Sequence, residues 1–274
     1  MALLLKRVAP DSGVRWIRAA FALFARRPLA FTSLFAAFMF AALVCSLIPA
    51  LGAVLLLMSL PLLSLGYMIA GRSALAGGPV NPGQFIEPLR GPAPRRRALL
   101  LLCAVYGVAS VGVMNLADWI DGGSFDRLQS LLAQGESAQG EIETLLADPD
   151  LAWGLLARFG LASLLSVPFW HAPALVWWDG QTAWHSLFSS TLALWRAKGA
   201  FAVYAVAWSG LVAVFGVAAA VIFGLLGERQ MAGALALPAG LMFSTVFYVS
   251  LIFTFDDCFG AAEAPPAAAA VVNS

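Results

Sequence analysis

Residues 29–71, LAFTSLFAAFMFAALVCSLIPALGAVLLLMSLPLLSLGYMIAG, run for 43 positions without a charged side chain. A helix crosses a hydrocarbon core of about 30 Å with about 20 residues, so this segment is long enough for two crossings. Near its middle lie Pro49, which cannot donate a backbone hydrogen bond, and Gly52, which tolerates unusual dihedral angles. The pattern therefore predicts two spans, residues 29–51 and 53–71, joined by a tight turn, rather than one continuous helix.

The composition extends this prediction to the whole chain. Of the 274 residues, 61% are hydrophobic and 11% are charged, against about 45–50% and about 25% in ordinary soluble domains. These proportions exclude a water-soluble enzyme, and they exclude a disordered chain, whose hydrophobicity would be low. Four more apolar runs are long enough to cross a membrane: residues 98–117, 151–170 (apolar as far as Trp178), 200–226 and 234–255. The predicted fold class is all-α, a polytopic membrane protein with six transmembrane helices arranged as three hairpins.

Basic residues are divided unequally between the two sides of such a bundle. Thirteen lysines and arginines precede the first span or lie in the second and fourth connections, whereas Arg127 and Arg229 lie in the opposite ones. The connection at residues 118–150 carries eight acidic residues. Because basic connections stay in the cytoplasm, we expect both termini there and residues 118–150 outside. The expected location is the inner (cytoplasmic) membrane of a bacterium.

Two amphipathic helices are predicted to lie in the cytoplasmic interface. The first covers residues 12–27, with Ser12 as its N-cap, and the second covers residues 181–198. Their apolar faces are formed by Val14, Ile17, Phe21 and Phe24 in the first and by Trp184, Leu187, Phe188, Thr191 and Trp195 in the second. Basic helices of this kind are attracted to anionic lipid headgroups. The predicted partners are therefore anionic membrane lipids at the basic cytoplasmic face, and no nucleic acid.

The chain is accordingly divided into three parts. Residues 1–28 form a cytoplasmic N-terminus with its interfacial helix, and residues 29–258 form the six-span membrane domain. Residues 259–274 are rich in alanine and proline and are expected to be a disordered cytoplasmic tail.

The external connection at residues 118–150 is too long for a simple turn. Ser124 is placed to cap a helix over residues 125–133, and a second helix is predicted over residues 140–147. Their apolar side chains predict a small lid over the outer ends of the spans.

Polar residues inside the spans are the candidates for function, because the sequence contains no nucleotide-binding loop, nucleophile elbow, zinc signature or carboxylate pair. Arg158 lies seven residues after Leu151, where the fourth span begins. Two explanations stay open: Arg158 reaches the outer interface or pairs with Asp118 or Asp121, or it attracts anions or acts as a gate inside the bundle. Asn115, near the outer end of the third span, is a further candidate, although a packing role explains it better.

The end of the fourth span holds the other candidates. Pro168 and Pro173 flank His171, and two prolines at this spacing bend or break a helix. Broken helices line cavities in transporters, but they also turn a span into an interfacial helix. His171, Asp179 and His185 are polar residues in this region, although no ligand spacing relates them. We therefore expect no catalytic site, no metal and no other cofactor.

Short motifs occur in order along the chain: Arg27-Pro28, LLSLG at residues 62–66, Asp121-Gly122-Gly123, PFWHAPALVWW at residues 168–178, Leu187-Phe188, and Ala200-Phe201-x-x-Tyr204. Through these motifs the chain resembles an uncharacterised family of proteobacterial six-helix inner-membrane proteins, over most of its length up to about Cys258. It departs from that family at Asp179-Gly180, where a less acidic connection is usual, and at residues 195–199, where an Arg-Asn pair is usual. More remotely, the layout looks like the membrane domains that accompany some glycerophosphodiester phosphodiesterases, here without a catalytic domain. The resemblance implies the topology and leaves the activity open.

The function favoured by these observations is that of a non-enzymatic membrane protein that organises lipid or partner proteins. The first alternative is a permease for a small solute or a lipid, with its pathway beside the broken fourth helix and Arg158. The second alternative, an intramembrane hydrolase, is disfavoured because no motif places Ser163 or Ser166 relative to His171. The sequence specifies neither a protein partner nor an oligomeric state.

Overall fold

The computed structural model of the chain describes residues 3–49, 51–134, 139–227 and 229–261. Two 3₁₀ turns lie between residues 75 and 93, and a π-helical turn lies at Leu175–Asp179. The elements in order are β1 (Leu3–Leu5), α1 (Ser12–Arg26), α2 (Pro28–Ser46), α3 (Leu51–Leu75), the turns Pro82–Phe85 and Glu87–Arg90, α4 (Ala93–Asp121), α5 (Ser124–Gln134), α6 (Gln139–Leu146), α7 (Pro149–Phe169), α8 (Ala172–Ala174), α9 (Ala183–Arg196), α10 (Lys198–Leu225), α11 (Arg229–Cys258) and β2 (Phe259–Ala261).

Six helices in the described part of the chain are long and apolar enough to cross a membrane. They are α2, α3, α4, α7 with the turns that follow it, α10 and α11, so the polytopic all-α fold is confirmed. Apolar side chains on α10, among them Val206 and Val214, are exposed, as expected for a helix that faces lipid. Several spans extend beyond the predicted bounds, as α4 does from Ala93 to Asp121, whereas α2 ends at Ser46 and not at residue 51. Charged residues can stay in a helix at its ends because their side chains reach water.

The six spans form the three predicted hairpins. In the first, α3 approaches α2 so closely that a Cβ on Gly52 would lie 1.8 Å from the carbonyl oxygen of Cys45, which requires a glycine. In the other two, α4 packs against α7, and α10 packs against α11. Helix α3 contacts α2, α4 and α11, and it is therefore the central helix of the bundle.

Helix α1 is packed into the protein, which corrects the predicted apolar face. It contacts α10 and α11, and the side chain of Trp16 is only 2% exposed. Ile17 is buried as expected, but the rest of the buried face is formed by Trp16, Ala20 and Leu23, whereas Val14, Phe21 and Phe24 are only partly buried. Helical periodicity identifies an apolar face without showing whether protein or lipid covers it.

The predicted N-cap of α1 is also wrong by one position. The helix begins at Ser12 itself, and Asp11 occupies the cap position without a side-chain cap bond. The hydroxyl of Ser12 accepts a hydrogen bond from Arg15 at 2.5 Å instead of one from the backbone of the first turn.

Helix α9 turns its aromatic face outward. Thr182 caps the helix by accepting a hydrogen bond from the backbone N–H of His185 at 3.4 Å. Small and hydroxyl side chains face the protein, while large aromatic ones are exposed: Ala183, Ser186, Ser190 and Ala193 are buried, and Trp184, Phe188 and Trp195 are exposed. An exposed aromatic face suits the boundary between lipid and water, where tryptophan is enriched.

The acidic connection folds into α5 and α6, near the two helices predicted there. The connection is shorter than residues 118–150, because α4 continues to Asp121 and α7 begins at Pro149. Ser124 is the first residue of α5 and not its N-cap. A small buried cluster of Leu131, Leu145 and Leu151 joins α5 and α6 to the start of α7.

The two ends of the described chain meet in a short antiparallel sheet. Strand β1 pairs with β2, and Leu4 lies opposite Gly260. The prediction of a disordered tail from residue 259 is therefore wrong for residues 259–261, and residues 262–274 lie outside the described residues. Because β1 and β2 pair, both ends lie on the same side of the six-span bundle. We call this side the basic end, and the side that carries α5 and α6 the acidic end.

Candidate functional site

The acidic end is held together by Arg158 of α7. One guanidinium nitrogen of Arg158 lies 2.7 Å from a carboxylate oxygen of Asp118 and 2.9 Å from one of Asp121. The guanidinium carbon lies 4.0 Å from the ring centre of Phe125 on α5. Gly154 lets α7 approach α4 closely enough for this pairing, since a Cβ there would lie 2.2 Å from the Cβ of Asp121. Of the two explanations for Arg158, the structure shows the pairing.

His171 lies at the break that ends the fourth span. This break was predicted from Pro168 and Pro173, and the structure contains it. Helix α7 ends at Phe169, and His171 precedes the three-residue turn α8. The imidazole is fully buried, and its Nε2 lies 3.1 Å from the hydroxyl of Thr254 on α11. Its backbone N–H donates to the hydroxyl of Ser190 on α9 at 3.0 Å. His171 therefore joins three helices at one point.

The hydroxyl of Thr254 is a meeting point of several polar groups. It donates to the carbonyl oxygen of Leu251 at 2.8 Å and accepts a hydrogen bond from Nε1 of Trp170 at 3.2 Å. Nε2 of His171 lies 3.1 Å from the same hydroxyl, and Nδ1 has no hydrogen-bond partner among the described residues. One ring nitrogen therefore holds the imidazole against α11.

The remaining candidate residues are not brought together with His171. Asp179 is partly buried at the end of the π-helical turn, where it accepts a hydrogen bond from Gln181 at 2.9 Å. His185 is exposed on α9, and Asn115 is exposed on α4. No three histidine, cysteine or acidic residues within the described ranges are grouped so that they could hold a metal ion.

An aromatic cavity that opens on the surface of the bundle lies next to the break in the fourth span. Its volume is about 630 Å³, which is within the usual range of about 300–1,000 Å³ for ligand sites. It lies among α3, α4, α7, α10 and α11, and Leu194 of α9 closes part of it. The rings that line it are Tyr106, Phe159, Phe169, Trp170, Phe201, Tyr204, Trp208, Phe247 and Tyr248. None of the candidate polar residues named from the sequence is among its lining residues.

Several polar side chains line this cavity; the two serines of α7 and Tyr204 are hydrogen-bonded within the protein, whereas Nε1 of Trp208 has no partner among the described residues. Ser163 and Ser166 of α7 donate to backbone carbonyl oxygens of their own helix, each at 2.7 Å. The hydroxyl of Tyr204 lies 2.6 Å from that of Ser250. None of the described residues that line the cavity is charged. Neither serine is hydrogen-bonded to a histidine, so Ser163 and Ser166 are not paired with His171 as a nucleophile would be with its base.

Comparison with known proteins gives one informative relative. The chain is 33% identical, over 264 residues, to a protein of Burkholderia thailandensis named "probable inner membrane protein", covering 93% of this chain and 94% of the relative. The chain belongs to this family of inner-membrane proteins. No profile of a known protein family matches the chain, and no solved structure matches it. The likeness to the membrane domains of glycerophosphodiester phosphodiesterases receives no support from these comparisons.

Carboxylates at the end of α11 hold the basic end of this inner-membrane protein together. Asp256 forms an ion pair with Arg72 of α3 at 2.7 Å, and Arg72 also lies over the Trp178 ring at 3.7 Å. Asp257 forms an ion pair with Arg15 of α1 at 3.3 Å and accepts a hydrogen bond from Trp16 at 2.7 Å. The sequence shows the Asp-Asp pair, but its partners lie far away along the chain and follow no motif.

Proposed function

We propose that this multi-pass inner-membrane protein is non-enzymatic and organises membrane lipid, by taking the hydrocarbon chain of a lipid into its aromatic cavity. The main observation behind the proposal is the cavity itself. It has a volume of about 630 Å³, it is lined by aromatic rings, and none of its described lining residues is charged. Apolar sites of this size with a few polar groups are typical binding sites for largely apolar ligands.

The position of the cavity supports entry from the bilayer. Helices α7 and α10 border it on two sides, and along the described chain they are not packed against each other as α4 and α7 are. The lining residues of α7 extend from Phe159 to Phe169, which corresponds to about 15 Å at 1.5 Å per residue. This is about half of a hydrocarbon core of about 30 Å, and these residues form the second half of the apolar helix α7, which supports a cavity at the depth of lipid chains.

The chemistry of the lining supports a hydrocarbon chain over a polar solute. A polar or charged solute leaving water needs compensating hydrogen bonds or an opposite charge. The hydroxyls of Ser163 and Ser166 already donate to their own helix, and the charged Arg158 is paired at the acidic end. An apolar chain requires neither kind of compensation.

A permease for lipid is the second candidate, and the broken fourth span favours it. Phe169 and Trp170, at the break, line the cavity, and broken helices at a binding site accompany alternating access in transporters. Both candidates use the same cavity and differ in whether the bound lipid is released on the other side.

The proposal includes the orientation of the bundle in the membrane. The arginine-rich segments lie at the basic end and α5–α6 at the acidic end, so the positive-inside rule assigns the basic end and both termini to the cytoplasm. Anionic lipid headgroups are then the expected partners of the exposed basic residues at that end.

Lipid occupancy can be tested by photo-cross-linking with a phospholipid that carries a diazirine near the middle of one chain. In the wild type we expect cross-links to cavity residues such as Phe247. In Ala205→Phe, where a ring is added to the lining, these cross-links should fall several-fold. The control is Val206→Phe, because Val206 is the next residue of α10, is 73% exposed and does not line the cavity. Equal labelling of Phe247 in both variants would contradict the proposal.

A further inference from the structure

We infer that a second cavity, at the basic end, binds the phosphate group of an anionic membrane lipid. Its volume is about 280 Å³, and it lies between the first turns of α4 and the start of α9. From α4 it is lined by Arg95, Arg97, Ala98 and Leu101, and from the other side by residues 180–184. This site is separate from the aromatic cavity, with which it shares no lining residue.

The charge of this cavity indicates an anionic ligand. Arg95 and Arg97 stand with Arg96 in the first turn of α4, which carries no acidic residue. The N-terminus of a helix is the positive end of its dipole, so three cations there repel both the dipole and one another. No ion pair links Arg95 or Arg97 to a carboxylate anywhere in the described ranges. A bound phosphate would relieve this repulsion, and arginine suits it because its guanidinium group donates two parallel hydrogen bonds.

The position of Arg95 supports this assignment. Arg95 is partly buried, and its guanidinium lies beside Gly180, with Nε 3.6 Å from the place that a Cβ on Gly180 would occupy. The guanidinium is therefore held against the residues that lead into α9 and does not extend freely into water. Thr182 and Ala183, which begin α9, line the same space and add the positive end of a second helix dipole.

The apolar part of the cavity distinguishes a lipid from free phosphate. Leu101 lies four residues after Arg97, about 6 Å further into the membrane at 1.5 Å per residue. Leu101 and Trp184 both line the cavity and are both exposed. A phosphate at the arginines would thus have its hydrocarbon chains beside Leu101 and Trp184. Inorganic phosphate would leave these apolar side chains uncovered.

The test compares two double variants that lose the same charge from the same end of the protein. Arg95→Gln/Arg97→Gln changes the cavity, and Arg18→Gln/Arg26→Gln changes two exposed arginines of α1 outside its lining. Detergent-purified full-length protein is titrated with dioleoyl-phosphatidylglycerol, with dioleoyl-phosphatidylcholine and with inorganic phosphate, and bound ligand is measured by native mass spectrometry. Elution volume and melting temperature without added lipid verify that each variant is folded. If the cavity variant does not fold, Arg97→Gln alone replaces it, since Arg97 is exposed.

We expect the wild type to bind phosphatidylglycerol more tightly than phosphatidylcholine. The cavity variant should lose about tenfold or more of its affinity for phosphatidylglycerol, because two charge-assisted hydrogen bonds are removed, and the control variant should lose less than about threefold. An equal loss in both variants would overturn the site in favour of diffuse surface charge. Binding of inorganic phosphate as tight as that of phosphatidylglycerol would overturn the lipid assignment, as would equal binding of the two lipids.

Discussion

Removal of Arg158 should destabilise the protein far more than removal of an exposed arginine. Asp121, one of its two partners, has a fully buried side chain, so in Arg158→Met a carboxylate stays buried without its cation. Breaking a buried ion pair from one side costs about 3–5 kcal/mol. Asp118 is 41% exposed and can regain water, so its loss of a partner contributes little. We therefore expect Arg158→Met to lower the free energy of unfolding by about 3–5 kcal/mol.

The matched control is Arg127→Met at the same end of the bundle. Arg127 pairs with Glu141 at 3.5 Å, and both side chains are about two-thirds exposed. Exposed pairs contribute about 0–1 kcal/mol, which is the expected loss. Adding Asp121→Asn to Arg158→Met removes the stranded charge and should restore about 2 kcal/mol.

Reversible unfolding in mixed micelles, with sodium dodecyl sulfate as the denaturant and near-ultraviolet circular dichroism as the signal, measures these differences. If Arg158→Met costs no more than Arg127→Met, the Arg158–Asp121 pair is not a buried ion pair in the folded protein. If the double variant is less stable than Arg158→Met, the reasoning from a stranded carboxylate is wrong.

Three more outcomes follow from the packing. Gly52→Ala should lower the free energy of unfolding by about 1–3 kcal/mol, because the new Cβ would lie 1.8 Å from the carbonyl oxygen of Cys45. The control Gly112→Ala should cause no loss, because no atom lies near its Cβ, and equal losses of the two variants in micelle unfolding would contradict the tight α2–α3 turn. Trp16→Ala should cost about 3–5 kcal/mol in the same assay, and a loss below about 1 kcal/mol would show that α1 is not packed in the core. In a background without the native cysteines, Leu4→Cys/Gly260→Cys should form a disulfide under mild oxidation, which altered gel mobility detects. The control Leu4→Cys/Ser124→Cys should form none, and the absence of a cross-link in the first variant would argue against the β1–β2 pairing.

The spans were predictable because composition and length alone define them. The uncharged segment at residues 29–71 is too long for one crossing, and Gly52 marks the turn at which α3 begins after α2 ends. The break after the fourth span was predictable for a local reason, since Pro173 cannot donate a backbone hydrogen bond to residue 169, where α7 ends, although Pro168 itself lies inside α7.

The contacts between distant segments were not predictable from periodicity. The pattern of residues 12–27 shows an apolar face. In the structure α1 packs against α10 and α11, with Trp16 buried, and nothing in the local sequence predicts which helices it contacts. The tail prediction failed at residues 259–261 because pairing with β1 depends on a segment more than 250 residues away. Both partners of Arg158 were among the predicted alternatives, but the pairing depends on the close approach of α7 to α4 at Gly154, which no local pattern shows.

The aromatic cavity was missed because its walls come from six helices that are separated along the chain. Each ring, for example Tyr106 or Trp208, looks in the sequence like an ordinary apolar residue of a span. The local feature that points to the cavity is the break in the fourth span, because broken helices line cavities in transporters. The break borders the cavity at Phe169.

Water access to the cavity tests the central claim most directly. In a background without native cysteines, Ser166→Cys places a thiol in the cavity lining, and Leu164→Cys places one on the same helix outside it, on an exposed apolar position. If a lipid chain fills the cavity, Ser166→Cys in native membranes should react with a lipid-soluble maleimide and should be protected from a charged, membrane-impermeant maleimide, as Leu164→Cys is. Rapid reaction of Ser166→Cys, but not of Leu164→Cys, with the charged reagent would show that the cavity holds water and would contradict the account.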